Sequence, residues 1–127
     1  MLSRLGRIAS LGHARGMELH HLDTLADELL TAARTASSGR AARSIRKGRE
    51  LALHQTVLAL AKDHGLGDHV APGEATLHVL GGRVALRWEP EEQEIVLAAG
   101  DWIELPQARH ALDALTDAVV LLTVVVR

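Results

Sequence analysis

From residue 18 to about residue 37, apolar side chains recur at steps of three and four: Leu19, Leu22, Leu25, Ala26, Leu29, Leu30 and Ala33. That spacing gathers them on one face of an α-helix, with Asp23, Asp27, Thr31 and Arg34 on the opposite face. The acids come early and the arginine late, as the helix dipole favours, and Ser37-Ser38-Gly39 ends the element. A helix with one apolar face has to cover something, either its own domain or a second subunit.

From about residue 41 the period becomes that of strands. Leu51 to Ala61 is a long apolar stretch holding His54 and Gln55. From Ala75 to Leu80, Ala75, Leu77 and Val79 fall on one side and Thr76 and His78 on the other. Gly81-Gly82 predicts a tight primed turn. Arg83 to Trp88 alternates again, and Glu89-Pro90-Glu91-Glu92 is the next turn. Gln93 to Ala98, Asp101 to Leu105, Arg109 to Leu115 and Ala118 to Val126 are four further short strands. The last is apolar on both faces, which places it between other strands rather than at an edge. Short strands with Gly and Pro turns every eight to twelve residues or so predict an all-β sandwich or barrel, and a jelly roll satisfies the pattern.

Composition narrows the function classes. The chain has 127 residues, 47% hydrophobic and 24% charged, so one globular domain with a real core is expected. There is no cysteine, hence no disulfide framework and no thiolate site, which fits a cytoplasmic location. Net charge is −2, but residues 1–50 hold nine of the 14 basic residues and only five of the 16 acidic ones. Trp88 and Trp102 are the only aromatics besides histidine, so no platform exists for stacking bases, and no nucleic-acid partner is expected. The longest apolar run, Ala118 to Val126, is far shorter than the roughly 20 residues of a membrane span, so no membrane partner is expected. Residues 1–16 carry arginines and no acid, and read as a disordered lead-in holding His13, with Met17 as an alternative start. The division expected is residues 1–16 lead-in, 17–49 helix and basic connector, and 50–127 barrel.

Two stretches carry candidate chemistry. One is His-Val-Ala-Pro-Gly-Glu-Ala-Thr-Leu-His-Val-Leu-Gly-Gly from His69 to Gly82. The other is Gly-Asp-Trp-Ile-Glu-Leu-Pro-Gln-Ala-Arg-His from Gly100 to His110. Together they resemble the two signature motifs of the cupin family, and the resemblance spans roughly residues 50 to 126. It implies a jelly-roll barrel preceded here by one amphipathic helix and a pocket at one barrel mouth; the family's habit, the apolar helix face and the two-sided last strand together point to a homodimer. In that family three histidines and a glutamate hold a divalent metal, commonly iron, manganese, nickel or zinc. The spacing has a physical reason: residues two apart on a strand point the same way, so His-x-His sends two imidazoles into one mouth.

The second motif is nearly complete here. Gly100 and Pro106 fit, Ala108 stands for a glycine, and His110 arrives one residue early. The first motif aligns in two ways. With Gly82 as its last glycine, His69 is the first ligand, Ala71 replaces the second histidine and Ala75 the glutamate. Ala75, Leu77 and Val79 then face inward, and only His69 and His110 remain. With Gly81 as its last glycine, Gly67 replaces the first histidine. His69, Glu74 and His110 then form a two-histidine, one-carboxylate set of the kind non-haem iron(II) uses, with a bulge at Pro72-Gly73 to aim Glu74 inward. The first alignment is preferred, because burying an apolar face outweighs saving one ligand.

The expected ligand pocket comprises Gln55, His69, Leu77, Val79, Leu105 and His110, with His69, Glu74 and His110 as the candidate metal set. Gln55 is favoured over His54 because its parity partners Leu53 and Val57 read as core. His64 is expected in solvent, His78 on the outer or subunit-facing surface, and His20 and His21 diverge on the helix. Trp88 and Trp102 read as packing or subunit contacts, and Arg40, Arg43, Arg46, Lys47 and Arg49 as a solvated basic connector, with an anion-binding arm as the other reading. No trustworthy Ser-His-Asp order, paired-carboxylate site or phosphate loop is present, so no catalytic residue is assigned. Three functions follow: a pocket protein for a small, largely apolar molecule, a metal-dependent dioxygenase or isomerase, or a structural or regulatory partner that binds anions through its arginines.

Overall fold

The computed structural model describes residues 17–71, 73–90 and 93–126. The expectations for residues 1–16, and the part of the proposed bulge that falls on Pro72, lie outside them. In chain order the elements are α1 (Leu22–Thr35), β1 (Arg40–Arg46), β2 (Leu53–Leu60), β3 (Gly65–His69), β4 (Ala75–Gly81), β5 (Arg83–Trp88), β6 (Gln93–Ala98), β7 (Trp102–Glu104), β8 (His110–Ala114) and β9 (Ala118–Val125). Among the described residues no helix is long and apolar enough to cross a membrane.

The strands form two antiparallel sheets, ordered β1-β2-β9-β4-β7 and β3-β8-β5-β6. Alternation along each strand sends one set of side chains between the sheets. Leu58, Leu60, Leu77, Val79 and Val120 from the first sheet meet Val84, Leu86, Leu97 and Leu112 from the second. This is the jelly-roll architecture expected. With few aromatics available, branched aliphatics fill the interior, and Leu60, Leu86, Val57, Val79, Val84 and Val120 are the largest side chains fully removed from water. Strand β9 is central, between β2 and β4, which is why it is apolar on both faces.

Helix α1 starts later than the sequence pattern predicts. His21 is its N-cap without a side-chain capping bond, and Leu19 lies outside it, exposed. Its apolar stripe covers the outer face of its own five-stranded sheet: Leu25, Leu29 and Ala33 are buried against Val57, Ala59 and Val119. One ion pair fastens it. Arg34 Nε donates to Asp117 Oδ2 at 2.8 Å, while Asp117 Oδ1 accepts the Lys62 backbone N–H at 2.8 Å. The Lys62 N–H, and then Arg34, hold the Asp117 carboxyl below its ordinary value. The helix stripe and the two-sided last strand, the features that pointed to a homodimer, are thus both used within one chain.

Three sequence expectations need correction. Residues 40–46 are not a connector: they form β1, an edge strand paired to β2 in register Arg40↔Leu60 to Arg46↔Gln55. Its exposed arginines suit an edge, where charge blocks further pairing. Strand β3 went unpredicted, because Gly65-Leu66-Gly67-Asp68-His69 has two glycines and little β propensity; pairing with β8 makes it a strand. Gly81-Gly82 is not a hairpin turn. β4 pairs with β7 and β9, β5 with β6 and β8, so here the chain crosses from one sheet to the other. Only Gly82 takes a positive φ, +76°, and it passes so close to the Asp117 carbonyl that a Cβ would collide with it.

Candidate functional site

The four-stranded sheet arranges its inward residues in rows. At the barrel mouth, register pairs His69 with His110, His110 with Trp88, and Trp88 with Gln93. One step deeper lie Leu66, Leu112 and Leu86. Leu66 and His69 are three apart and would point oppositely in a regular strand. A register irregularity between them sets two residues of β3, Gly67 and Asp68, against one of β8, Ala111, so both turn inward. The irregularity falls at residues 67 and 68 and aims His69 inward.

His69 and His110 face each other edge to face, ring centroids 4.4 Å apart at 64°. Each ring is held by a backbone carbonyl two residues earlier in the chain. His69 Nδ1 lies 2.8 Å from Gly67 O, and His110 Nδ1 lies 2.9 Å from Ala108 O. A carbonyl only accepts, so Nδ1 carries the proton and, in the neutral ring, Nε2 is left as a lone-pair acceptor. His110 is 2% exposed, and its Nε2 is buried without a hydrogen-bond partner among the described residues. His69 sits at the exposed rim.

Behind the pair lies a small cavity of about 20 Å³. Its walls are otherwise aliphatic: Leu58, Leu77, Leu105, Val120 and Leu122 on one side, Leu66, Leu86 and Leu112 on the other. The room is enough for about one water. Anything larger shares the rim with His69 or turns a half-buried leucine such as Leu66 or Leu122.

Of the residues expected in the pocket, His69, Leu77, Leu105 and His110 line this cavity. Val79 is buried in the same core but does not reach it. Gln55 is a correction: Leu58 and Leu60 point between the sheets, so Gln55 shares the outer face with Val57 and Ala59. There its Nε2 donates to Thr123 Oγ1 at 3.1 Å. Its parity partner Val57 is core, but core beneath α1. His54, on the other face, is tied by Nε2 to the carbonyls of Gly48 and Leu51.

Glu74 is the second correction. β4 buries Ala75, Leu77 and Val79, as the first alignment requires, and Glu74 is exposed. Among the described residues no three of His, Cys, Asp or Glu gather where they could hold a metal ion. The further leucines and Val120 that line the cavity all lie at inward positions, and the alternation of β2, β5, β8 and β9 is the sequence signal for most of them. His64 is exposed, and His78 is half-buried on the outer face, opposite Trp102 and Leu121. Trp88 packs against the core, whereas Trp102 is 60% exposed. Arg40 and Arg46 reach the backbone carbonyls of Gly65 and Leu53.

No family model matches the chain, and no curated protein matches it. Solved structures do. A conserved protein of unknown function from Streptococcus pyogenes is 27% identical, covering 72% of this chain and 78% of that one, with a TM-score of 0.63. A cupin superfamily protein from Desulfitobacterium hafniense is 13% identical over 69% of this chain and 78% of its own, also with a TM-score of 0.63. The hydroxypropylphosphonic acid epoxidase of S. wedmorenis is 20% identical over 67% of this chain and 50% of its own, with a TM-score of 0.58. A structure of the epoxidase named as its iron(II) form in complex with substrate is equally similar. The chain has the cupin fold.

Proposed function

We propose that this protein is a binding module that takes a small molecule at the barrel mouth, between His69 and His110. The observation that carries the reading is the buried, unpartnered Nε2 of His110 in an otherwise aliphatic cavity. An acceptor left unsatisfied in such a place costs about 1–3 kcal/mol, and a bound donor removes that cost. Two imidazoles are one short of the three protein ligands usual at catalytic zinc. With Glu74 exposed, the donor set does not fit the resident metal that the fold family implies. The dioxygenase or isomerase reading needed that third ligand.

The test is a titration of untagged, EDTA-treated protein with phenol and pyrazole, followed by NMR. Shifts are expected at His69, His110 and the neighbouring leucines, with millimolar affinity, and Leu122→Phe, which narrows the cavity, weakens binding at least fivefold. Shifts confined to other surfaces, or none, would remove the pocket reading.

A further inference from the structure

The polarity of the cavity is one-sided. Both imidazoles give their Nδ1–H to backbone carbonyls, Gly67 O and Ala108 O. What each has left is an acceptor, Nε2, and the other walls are leucine and valine, which offer neither donor nor charge. Of the two nearby arginines, Arg87 lies on the outer face, paired with Asp113 at 2.8 Å, and Arg109, the chain neighbour of His110, is exposed and does not line the cavity.

We infer that the site selects its ligand by hydrogen-bond donation: a neutral molecule with an apolar body and one N–H or O–H group, that group given to His110 Nε2. The inference rests on the pocket reading above and adds a chemical class to it. A ligand that can only accept leaves Nε2 unpaired and brings a lone pair against it. An anion is worse, because it is stripped of water with no donor waiting. Sites that hydrogen-bond a ligand group reject the analogue lacking it far more strongly than sites that merely fit its shape. His69 has the same polarity at the rim, so a second donor on the ligand would find a partner nearer solvent.

The probes are pyrrole, furan and formate, titrated at pH 8 into untagged, EDTA-treated protein. Pyrrole and furan are five-membered rings of nearly equal size, one carrying an N–H donor and the other an oxygen acceptor. Pyrrole is expected to bind at least tenfold more tightly than furan, and formate not at all below 50-fold the pyrrole Kd, roughly the spread one buried hydrogen bond and one buried charge produce. In His110→Leu the pyrrole-to-furan ratio is expected to fall within twofold. The ¹⁵N resonance of His110 Nε2 in the wild type supplies a second readout that does not depend on the variant folding, and it moves on adding pyrrole but not furan. Furan or formate binding as tightly as pyrrole overturns the donor rule and leaves a pocket standing. If none of the three binds, the pocket reading falls and the donor rule with it.

Discussion

Zinc affinity is expected to rise at least 100-fold in the double variant Ala71→His with Ala75→Glu. These are the two positions where the first alignment sets an alanine against a metal ligand. Ala75 is 3% exposed and belongs to the inward row of β4, and Ala71 packs half-buried against the same core. A glutamate at 75 therefore projects where Leu77 and Val79 project, two and four residues further along the strand. With the histidine introduced at 71, His69 and His110 it completes a four-ligand set, against two imidazoles in the wild type. Without metal the variant should be less stable than the wild type by several kcal/mol, because it buries a carboxylate in an aliphatic core. Saturating zinc should restore most of that loss through binding linkage. Isothermal titration calorimetry and thermal unfolding with and without zinc read both effects. An affinity within threefold of the wild type would mean that Ala75 does not stand where the glutamate of the motif would.

The second large effect is expected at the corner between the sheets. Gly82→Ala should lower stability by roughly 3 kcal/mol or more, about 10 °C in Tm for a domain of this size. At φ +76° an alanine is in the left-handed region, which costs about 1–2 kcal/mol by itself. Its Cβ also meets the Asp117 carbonyl and Ala118 Cα, backbone atoms that cannot swing aside. Gly81 is the internal control. Its φ is not positive and nothing lies within 4 Å of a Cβ built there, so Gly81→Ala should change stability by less than about 1 kcal/mol. Thermal denaturation of the two variants separates a sheet-to-sheet corner at Gly82 from a two-glycine hairpin, in which both alanines would be costly.

The difference between those glycines marks where sequence reading runs out. Period-2 alternation located β4, β5 and β9 nearly to the residue, because their inward positions carry Leu, Val and Ala without interruption. It could not say which neighbour each strand pairs with. Two adjacent strands joined by Gly-Gly look like a hairpin in one dimension, and only the packing of two sheets makes the joint a corner. The same limit misplaced Gln55. Val57 does read as core, but the protein has two apolar layers, one between the sheets and one under α1, and parity alone does not tell them apart. Strand β3 was hidden because its five residues alternate poorly and owe their extended form to β8.

The histidine pair was legible for a different reason. His69 and His110 stand out as motif residues, and antiparallel pairing of β3 and β8 sets them directly opposite. Their tautomers were not legible, since these depend on two carbonyls aimed at Nδ1 by local backbone geometry. Nor was the fate of Glu74. Four residues separate it from His69, which ends β3 of one sheet, whereas Glu74 precedes β4 of the other, so strand parity does not relate the two.

Anomalous diffraction from crystals of the untagged wild-type protein soaked in zinc tests this most directly. The account predicts either no ion at the barrel mouth or one bonded only to imidazole nitrogens and water, with the Glu74 carboxylate facing solvent. An ion with a Glu74 oxygen at about 2.0–2.2 Å, beside both His69 and His110, would contradict it.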